Sequence, residues 1–398
     1  MKKILFITTS DLVTNPRLVK ELELANENNF EISVFYCSIN GWSKPLTDEF
    51  ILSNKHITFY EVSATRKPFF PWFISSVLEF LLKRIPKTLL STKLLAYSLN
   101  KRSVLLKRKL SKLKGEFDWV IAHNPGAFYP AFNFSKKHGS KLGIDVEDYH
   151  PGESSNDDLN CRMKTLMKRI LPEAEYCSFA APLIENEVQN HITNRIKKSI
   201  VVLNGFNEFE FSYKESDWQK LKLVWYSQNI DFGRGLEGFL EAFNELQLEC
   251  ELTLIGNLKP DFAAKFDILS NTKIKLISPV SQKELHLLLS NYDVGLALDF
   301  PINRNREIAL TNKIVSYVQA GLFIFSSITP AQELFILENC LEAHLVKNEL
   351  QDIKLGLEKL IKERNLNGFN KLDQFEKGKL ISWQHISKPL IEEWLIRK

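Results

Sequence analysis

The sequence predicts an α/β protein built from two similar domains with parallel sheets, and three observations carry that prediction. Short, nearly continuous apolar runs at residues 4–8, 31–36, 118–122 and 141–145 have the character of strands buried on both faces. Loops and amphipathic stretches of helical period separate them. After the turn signal Asn204-Gly205 the pattern starts again, with runs at 221–226, 251–256, 273–277 and 293–298. Residues 1–205 therefore form an N-terminal β/α domain, 206–220 a polar, aromatic linker, and 221–380 a C-terminal β/α domain. A final amphipathic helix at 381–398 is expected to pack back on the first domain.

With 398 residues, 44% of them hydrophobic and 25% charged, the chain has enough apolar content for two cores. A formal net charge of +4 is too small to imply nucleic acid as a partner. The five cysteines lie far apart in no disulfide or metal spacing, which suits a reducing, cytoplasmic setting. The N-terminal apolar run is cut short by Thr8, Thr9 and Asp11, so it reads as a first strand and not as a signal peptide. No run reaches the length of a membrane span.

In the first domain, Asn15, Pro16 and Arg17 stand at the start of a helix beyond the first strand. Ligands gather at such strand ends in open α/β sheets. The loop lacks a Gly-rich dinucleotide fingerprint, which argues against a nicotinamide or flavin enzyme. The strand at 118–122 delivers His123, and the strand at 141–145 is followed at once by Glu147, Asp148, His150 and Glu153. A histidine among carboxylates suits proton transfer or sugar hydroxyls, and it equally suits a structural loop. No helical pair at ligand spacing points to a metal.

Residues 66–114 hold thirteen Lys and Arg with Glu79 as the only acid. Phe69, Phe70, Trp72 and Phe73 lead into the helical stripe Ile74, Val77, Leu78, Leu81, Leu82 and Ile85, which Pro86 ends. Such a segment either packs its stripes on the sheet or lies on an anionic membrane surface, where each basic residue contributes about 1 kcal/mol.

In the second domain, Gly233 and Gly235 bracket Arg234 before a helix; glycines let a backbone approach a ligand, and arginine grips phosphate. The stretch 301–323 opens with Arg304, Arg306 and Glu307. Thr311 then caps a short helix whose first turn carries Asn312 and Lys313, and Gly321 stops it. A helix start beside a lysine is a compact site for a diphosphate, and a carboxylate in the same loop suits hydroxyls. Read alone, the stretch is equally an ordinary capped helix with solvated cations.

Taken in order, IAHNPGAFYPA, KLGIDVEDYH, IVVLNGF, WYSQNIDFGRGLE, LTLIGN, ISPVSQKELHLLLSNYDVGLAL, NREIALTNKIVSYVQAGLFI and the closing SWQ resemble the retaining family-four glycosyltransferases of the GT-B fold. The resemblance implies two facing Rossmann-like domains with a nucleotide-sugar in the cleft between them. It implies that Arg234, Lys313 and Asn312 bind the donor diphosphate, with base contacts near Val280. Gln228 stands where the family has a second basic residue. Ser316 stands where it has a ribose-binding glutamate, and Glu307 lies one residue from the other conserved glutamate. The family's Asp-x-His-Glu becomes Asp145, Val146, Glu147, Asp148, with His150 displaced.

The expected activity is transfer of a hexose-type sugar from a nucleoside diphosphate to an acceptor hydroxyl with retention, in cell-envelope polysaccharide or glycolipid assembly. Arg234, Lys313 and Glu307 act on the donor, and His123, Asp148 and His150 face a lipid-linked or oligosaccharide acceptor. Neither metal nor other cofactor is expected, and the enzyme is cytoplasmic, with membrane-surface contact through 66–114. The competing readings are a noncatalytic GT-B-like scaffold, favoured by Gln228 and Ser316, and a nucleotide-sugar epimerase or phosphorylase.

Overall fold

The computed structural model describes residues 1–216, 220–246, 249–299, 301–362 and 369–396. The chain divides into two compact units, Met1–Val202 with Ser387–Lys398, and Leu203–Ile386. Residues 217–219 of the expected linker and 397–398 of the expected last helix lie outside the described residues.

The first unit holds seven parallel strands: β1 (Lys3–Thr8), β2 (Glu31–Ser38), β3 (Thr58–Ser63), β4 (Trp119–His123), β5 (Lys141–Val146), β6 (Tyr176–Phe179) and β7 (Ser199–Val201). Their order is β3-β2-β1-β4-β5-β6-β7. The sequence direction reverses between β1 and β4, so the carboxyl ends of those two strands mark the switch point where α/β sheets take ligands. Ile4, Phe6, Val120 and Ile144 are fully buried, as continuous apolar strands with helices on both faces require.

The second unit repeats the plan with β8 (Leu221–Ile230), β9 (Cys250–Leu258), β10 (Ile274–Ile277), β11 (Val294–Ala297), β12 (Phe323–Ser327) and β13 (Ala343–Val346). Their order is β10-β9-β8-β11-β12-β13, all parallel, with the switch point between β8 and β11. One face of this sheet packs Trp225, Leu254 and Phe325 against Phe239, Leu240 and Leu357. On the other face, Val224, Ala297 and Ile324 pack with Ile314, Tyr317 and Val318.

Two details depart from the sequence reading. The expected linker is not a free tether over its described length: Phe206 and Phe211 are buried in the second unit, where the His286 ring stacks on Phe211 at 4.4 Å and its Nδ1 meets Glu210 at 2.7 Å. Aromatic side chains that reach a core gain more by burial than by spanning a gap. The expected single terminal helix is broken into Trp383–Ile386, in the second unit, and Lys388–Leu395, in the first. Pro389 lies in the opening turn of the latter, where its missing N–H costs nothing.

Trp394 fixes that last helix. It is fully buried, meets Phe6 edge-on at 6.0 Å, and donates its indole N–H to the Tyr176 hydroxyl at 2.9 Å. The Trp119 indole donates to its carbonyl at 3.2 Å, and Lys198 pairs with Glu393. Trp394→Phe keeps most of the apolar contact but orphans the Tyr176 hydroxyl. It should lower unfolding stability by about 1–2 kcal/mol, read from the urea midpoint.

Candidate functional site

In the second unit, three segments converge at the β8/β11 switch point. The loop after β8 turns at Gly233 and Gly235, both at positive φ (72° and 83°). A Cβ on Gly235 would lie 2.6 Å from the Leu298 carbonyl oxygen, so this glycine is what lets the loop press against the end of β11. The Gly233 amide donates to the Glu237 carboxylate. Arg234, between the two glycines, is exposed.

After β11 come Asp299 and the short helix Arg304–Ile308, capped by Asn303 through the Arg306 amide at 2.9 Å. Arg306 reaches Asp299 at 3.5 Å, and Arg304 pairs with Glu307 at 2.8 Å. Thr311 then caps the helix Asn312–Gln319, accepting from the Lys313 amide. Asn312 is exposed at its first position.

Lys313 is half-buried, with its ammonium 5.4 Å from the centre of the Trp225 ring. Its pKa is lowered, first by burial and then by the positive charges of Arg306 and Arg234, against the opposing Asp299 carboxylate. Both guanidiniums thus act on the same ammonium. Three cations and one carboxylate at a helix start leave an excess of positive charge, the arrangement that accepts a diphosphate.

The other residues singled out around this site are placed less uniformly. Gln228 is exposed near the end of β8, and its carbonyl accepts from the Asn257 amide at 3.0 Å. Val280 is half-buried beside the second core, in the loop after β10. Ser316, which stands where the resemblance puts a ribose-binding glutamate, is fully buried, and its hydroxyl is engaged by the Tyr226 hydroxyl and the Lys313 carbonyl, both at 2.8 Å. It has no surface to offer a ribose. Its position on the inward face of an eight-residue helix is the reason.

In the first unit, the residues at the strand ends form a closed ion network. Arg17 Nε donates to Asp145 Oδ1 at 2.7 Å and Nη1 to the Val202 carbonyl at 2.6 Å. His123 Nε2 lies 3.1 Å from Glu21 Oε2, and its Nδ1 lies 3.4 Å from Asp145 Oδ2. All four side chains are essentially inaccessible. The sheet register creates the contact, because His123 pairs with Asp145 across β4 and β5, and Arg17 and Glu21 are one helical turn apart.

Burial alone would lower the His123 pKa, but Glu21 and Asp145 raise it well above the ordinary range. Burial would raise Asp145, whereas Arg17 and His123 hold it low. Two cations thus balance two anions. Glu21, His123 and Asp145 have metal-compatible geometry, with ligand atoms within 4.8 Å of one another. Asp145 is already paired with the Arg17 guanidinium at 2.7 Å, which competes with any such use of its carboxylate.

His123 and Asn15 are therefore corrected as direct ligand contacts. His123 is fully buried under its carboxylates, and Asn15 is buried as the cap of the helix Pro16–Glu27, accepting from the Leu18 amide at 3.1 Å. Asp148 and His150 remain at the edge, half-buried, with His150 Nδ1 3.1 Å from Glu153. Burial lowers the His150 pKa, but Glu153, Asp148 and Glu147 together raise it.

The sequence reading left Glu147 unassigned. It is half-buried just past β5, and its pKa is pushed up to about 7 by burial and by the Asp145 and Asp148 carboxylates, against Arg17 and His123. A carboxyl poised there exchanges a proton near neutral pH. Because the folded-state value lies above the ordinary one, folding takes up a proton between the two. Stability from this group is present below the unfolded value and lost as pH rises to about 7. Glu147→Gln should flatten that slope, read as thermal midpoints across the window.

No protein-family model matches the sequence, and no curated protein matches it. Among solved structures, sucrose-phosphate synthase of Thermosynechococcus elongatus is similar with a TM-score of 0.69 at 11% identity, over 99% of this chain and 98% of that one. HepE of Anabaena in complex with UDP has a TM-score of 0.67 at 12% identity, over 99% of each chain. A glycosyltransferase of Rickettsia africae has a TM-score of 0.67 at 12% identity, over 99% and 98%. The two parallel-sheet units match these neighbours, and the chain has the GT-B fold.

Proposed function

We propose that this chain moves a sugar from a nucleoside diphosphate to an acceptor hydroxyl with retention of the anomeric configuration. The observation that carries the reading is that the glycine-bracketed loop of Arg234 packs on Leu298 at the end of β11, where Arg306 reaches Asp299 and the helix bearing Lys313 in its first turn follows. HepE, a neighbour of the same fold, has been captured with UDP and with UDP-glucose, which supports a nucleotide-sugar as donor.

In this reading the bond between the anomeric carbon and the diphosphate oxygen breaks, and its electron pair leaves with the diphosphate. Arg234, Arg306 and Lys313 stabilise that charge; preorganised cations aimed at developing charge are usually the largest catalytic contribution. The acceptor oxygen bonds the anomeric carbon on the face the diphosphate leaves, and its proton passes to the departing diphosphate. Glu307, now held by Arg304, orients sugar hydroxyls once donor binds. On the first unit, Asp148 and His150 meet the acceptor, with Glu147 exchanging protons beside them. His123 and Arg17 position that edge without touching substrate.

The acceptor is a lipid-linked saccharide or an oligosaccharide of cell-envelope assembly, and no metal takes part in this scheme. A noncatalytic scaffold remains the second reading, favoured by the exposed, neutral Gln228 where the resemblance implies a cation. Thermal-shift screening of nucleotide-sugars separates the two, since a bound ligand raises the folded population by mass action. One nucleotide family raising the midpoint, followed by transfer only when acceptor is added, supports the enzyme. Product without acceptor would favour epimerisation or phosphorolysis.

A further inference from the structure

The helix Phe69–Leu82 is inverted relative to an ordinary surface helix. Towards its own unit it turns Trp72, Ser75, Ser76 and Leu82. The two serine hydroxyls donate to the Trp72 carbonyl at 2.8 Å, and the Lys101 ammonium reaches Ser76 at 3.3 Å and lies 5.1 Å from the Trp72 ring. Towards solvent it turns Phe70 (74% exposed), Phe80 (57%), Leu81 (52%), Ile74 (50%) and Phe73 (47%). Spacings of three, four and seven place these on one face. A contiguous apolar, aromatic face of this kind marks a contact surface.

Its rim identifies the partner. Arg66 and Lys67 precede the helix, and Lys83 and Arg84 follow it, all exposed, with Lys87 half-buried beyond. The segment's one acid, Glu79, is paired with Lys83 at 2.9 Å. The Arg84 guanidinium lies 3.5 Å from the centre of the Phe80 ring, with its charged end at the border of the apolar face, as a cation does at a lipid–water boundary. Next to the helix start, a cavity of about 450 Å³ is lined by Pro68 and Pro71 together with Arg108, Lys109 and Lys112, with Glu61 at its edge.

A second copy of the chain on this face would bring the same cations against one another. An anionic partner is what the rim complements. No helix among the described residues is long and apolar enough to cross a membrane. Fourteen residues span roughly 21 Å against a hydrocarbon core of roughly 30 Å. Such a helix lies in the surface plane.

We propose that the helix Phe69–Leu82 docks in the surface of an anionic bilayer leaflet, with Phe70, Phe73, Ile74, Phe80 and Leu81 among the acyl chains and the flanking cations on lipid phosphates. The proposal rests on the reading of a lipid-linked acceptor for its purpose, since it brings the first unit to where such an acceptor resides.

Flotation of the full chain with vesicles of phosphatidylglycerol and phosphatidylcholine, and with phosphatidylcholine alone, tests it. Recovery should be about tenfold higher with the anionic vesicles, and Phe70→Ser with Phe80→Ser should remove that gain by a similar factor. The two side chains are exposed, so the unfolding midpoint of the double variant should match the wild type. Lys83→Gln with Lys87→Gln should weaken binding and its salt dependence. Failure of the wild type to float with either vesicle, or equal flotation of the phenylalanine variant, overturns the inference. So does a wild-type dimer that the phenylalanine variant dissociates without any vesicle binding. Nucleotide titration on the same samples keeps the two readings apart: nucleotide binding without vesicle binding sinks only this inference, and vesicle binding without nucleotide binding sinks only the transferase.

Discussion

Lys313→Ala should lower sugar transfer by about 10²–10³-fold while the protein stays folded. The side chain lies at the start of the helix Asn312–Gln319, where Arg234 and Arg306 already crowd it with positive charge. That crowding is unfavourable in the empty site and becomes favourable when a diphosphate arrives. Removing the ammonium therefore costs the liganded state far more than the free one. The contact with Trp225 is worth about 0.5–2 kcal/mol, so a modest change in thermal midpoint should accompany a much larger loss of activity. The lowered Lys313 pKa adds a direction: as pH rises towards it the ammonium discharges, and donor binding by the wild type should weaken. The alanine variant should lack that alkaline decline. Wild-type turnover in Lys313→Ala would remove this residue from the mechanism.

Arg17→Met should destabilise the first unit by about 3–5 kcal/mol, the usual result of leaving a buried charge without its partner. Arg17, His123, Glu21 and Asp145 are balanced two against two with their side chains closed off from bulk solvent, and Asp145 takes its strongest support from the guanidinium 2.7 Å away. Without Arg17 the carboxylates outnumber the cations. The remedy open to the variant is to protonate one of them, so the deficit should be larger at pH 8 than at pH 5. Combining Arg17→Met with Asp145→Asn should restore much of the loss, because the orphaned charge is gone. Urea midpoints for the three variants at both pH values give the answer. A loss below about 1 kcal/mol in the single variant would mean that the network is solvated and does not order the β4–β5 edge.

How far these features could be read from the chain depends on whether they are local. The strands at 4–8, 118–122 and 141–145 are legible because both faces are buried and their residues carry no polar side chain except at the ends of each run. The edge strands β3 and β13 are not, since exposed Thr58 and Glu61 interrupt the first and half-buried His344 interrupts the second, which is only four residues long. The glycine-bracketed Arg234 and the capped Lys313 are short-range motifs and could be singled out from a few residues each. The joint action of Arg234 and Arg306 on the Lys313 ammonium is a property of strand order, which no motif states. The Arg17–Glu21–His123–Asp145 network spans 128 residues between Arg17 and Asp145 and depends on the register of two strands. Only the helical spacing of Arg17 and Glu21 hints at it. The helix Phe69–Leu82 makes the limit plain: period 3.6 assigns its residues to faces, but which face the rest of the fold covers is settled by Ser75, Ser76 and their neighbours in space.

Ser316 carries a related lesson. The resemblance puts it where the family has a ribose-binding glutamate, and the inward face of its helix puts it against Tyr226. If the donor ribose is held in this chain, a different group holds it.

Binding of a nucleoside diphosphate by the cations at the β8/β11 switch point is measured by isothermal titration of the full chain with UDP and GDP, repeated on Arg234→Ala. The wild type should bind one of the two nucleotides with micromolar affinity, and the variant should bind it at least about tenfold more weakly. Absence of heat with both nucleotides in the wild type, or undiminished affinity in Arg234→Ala, would contradict this expectation.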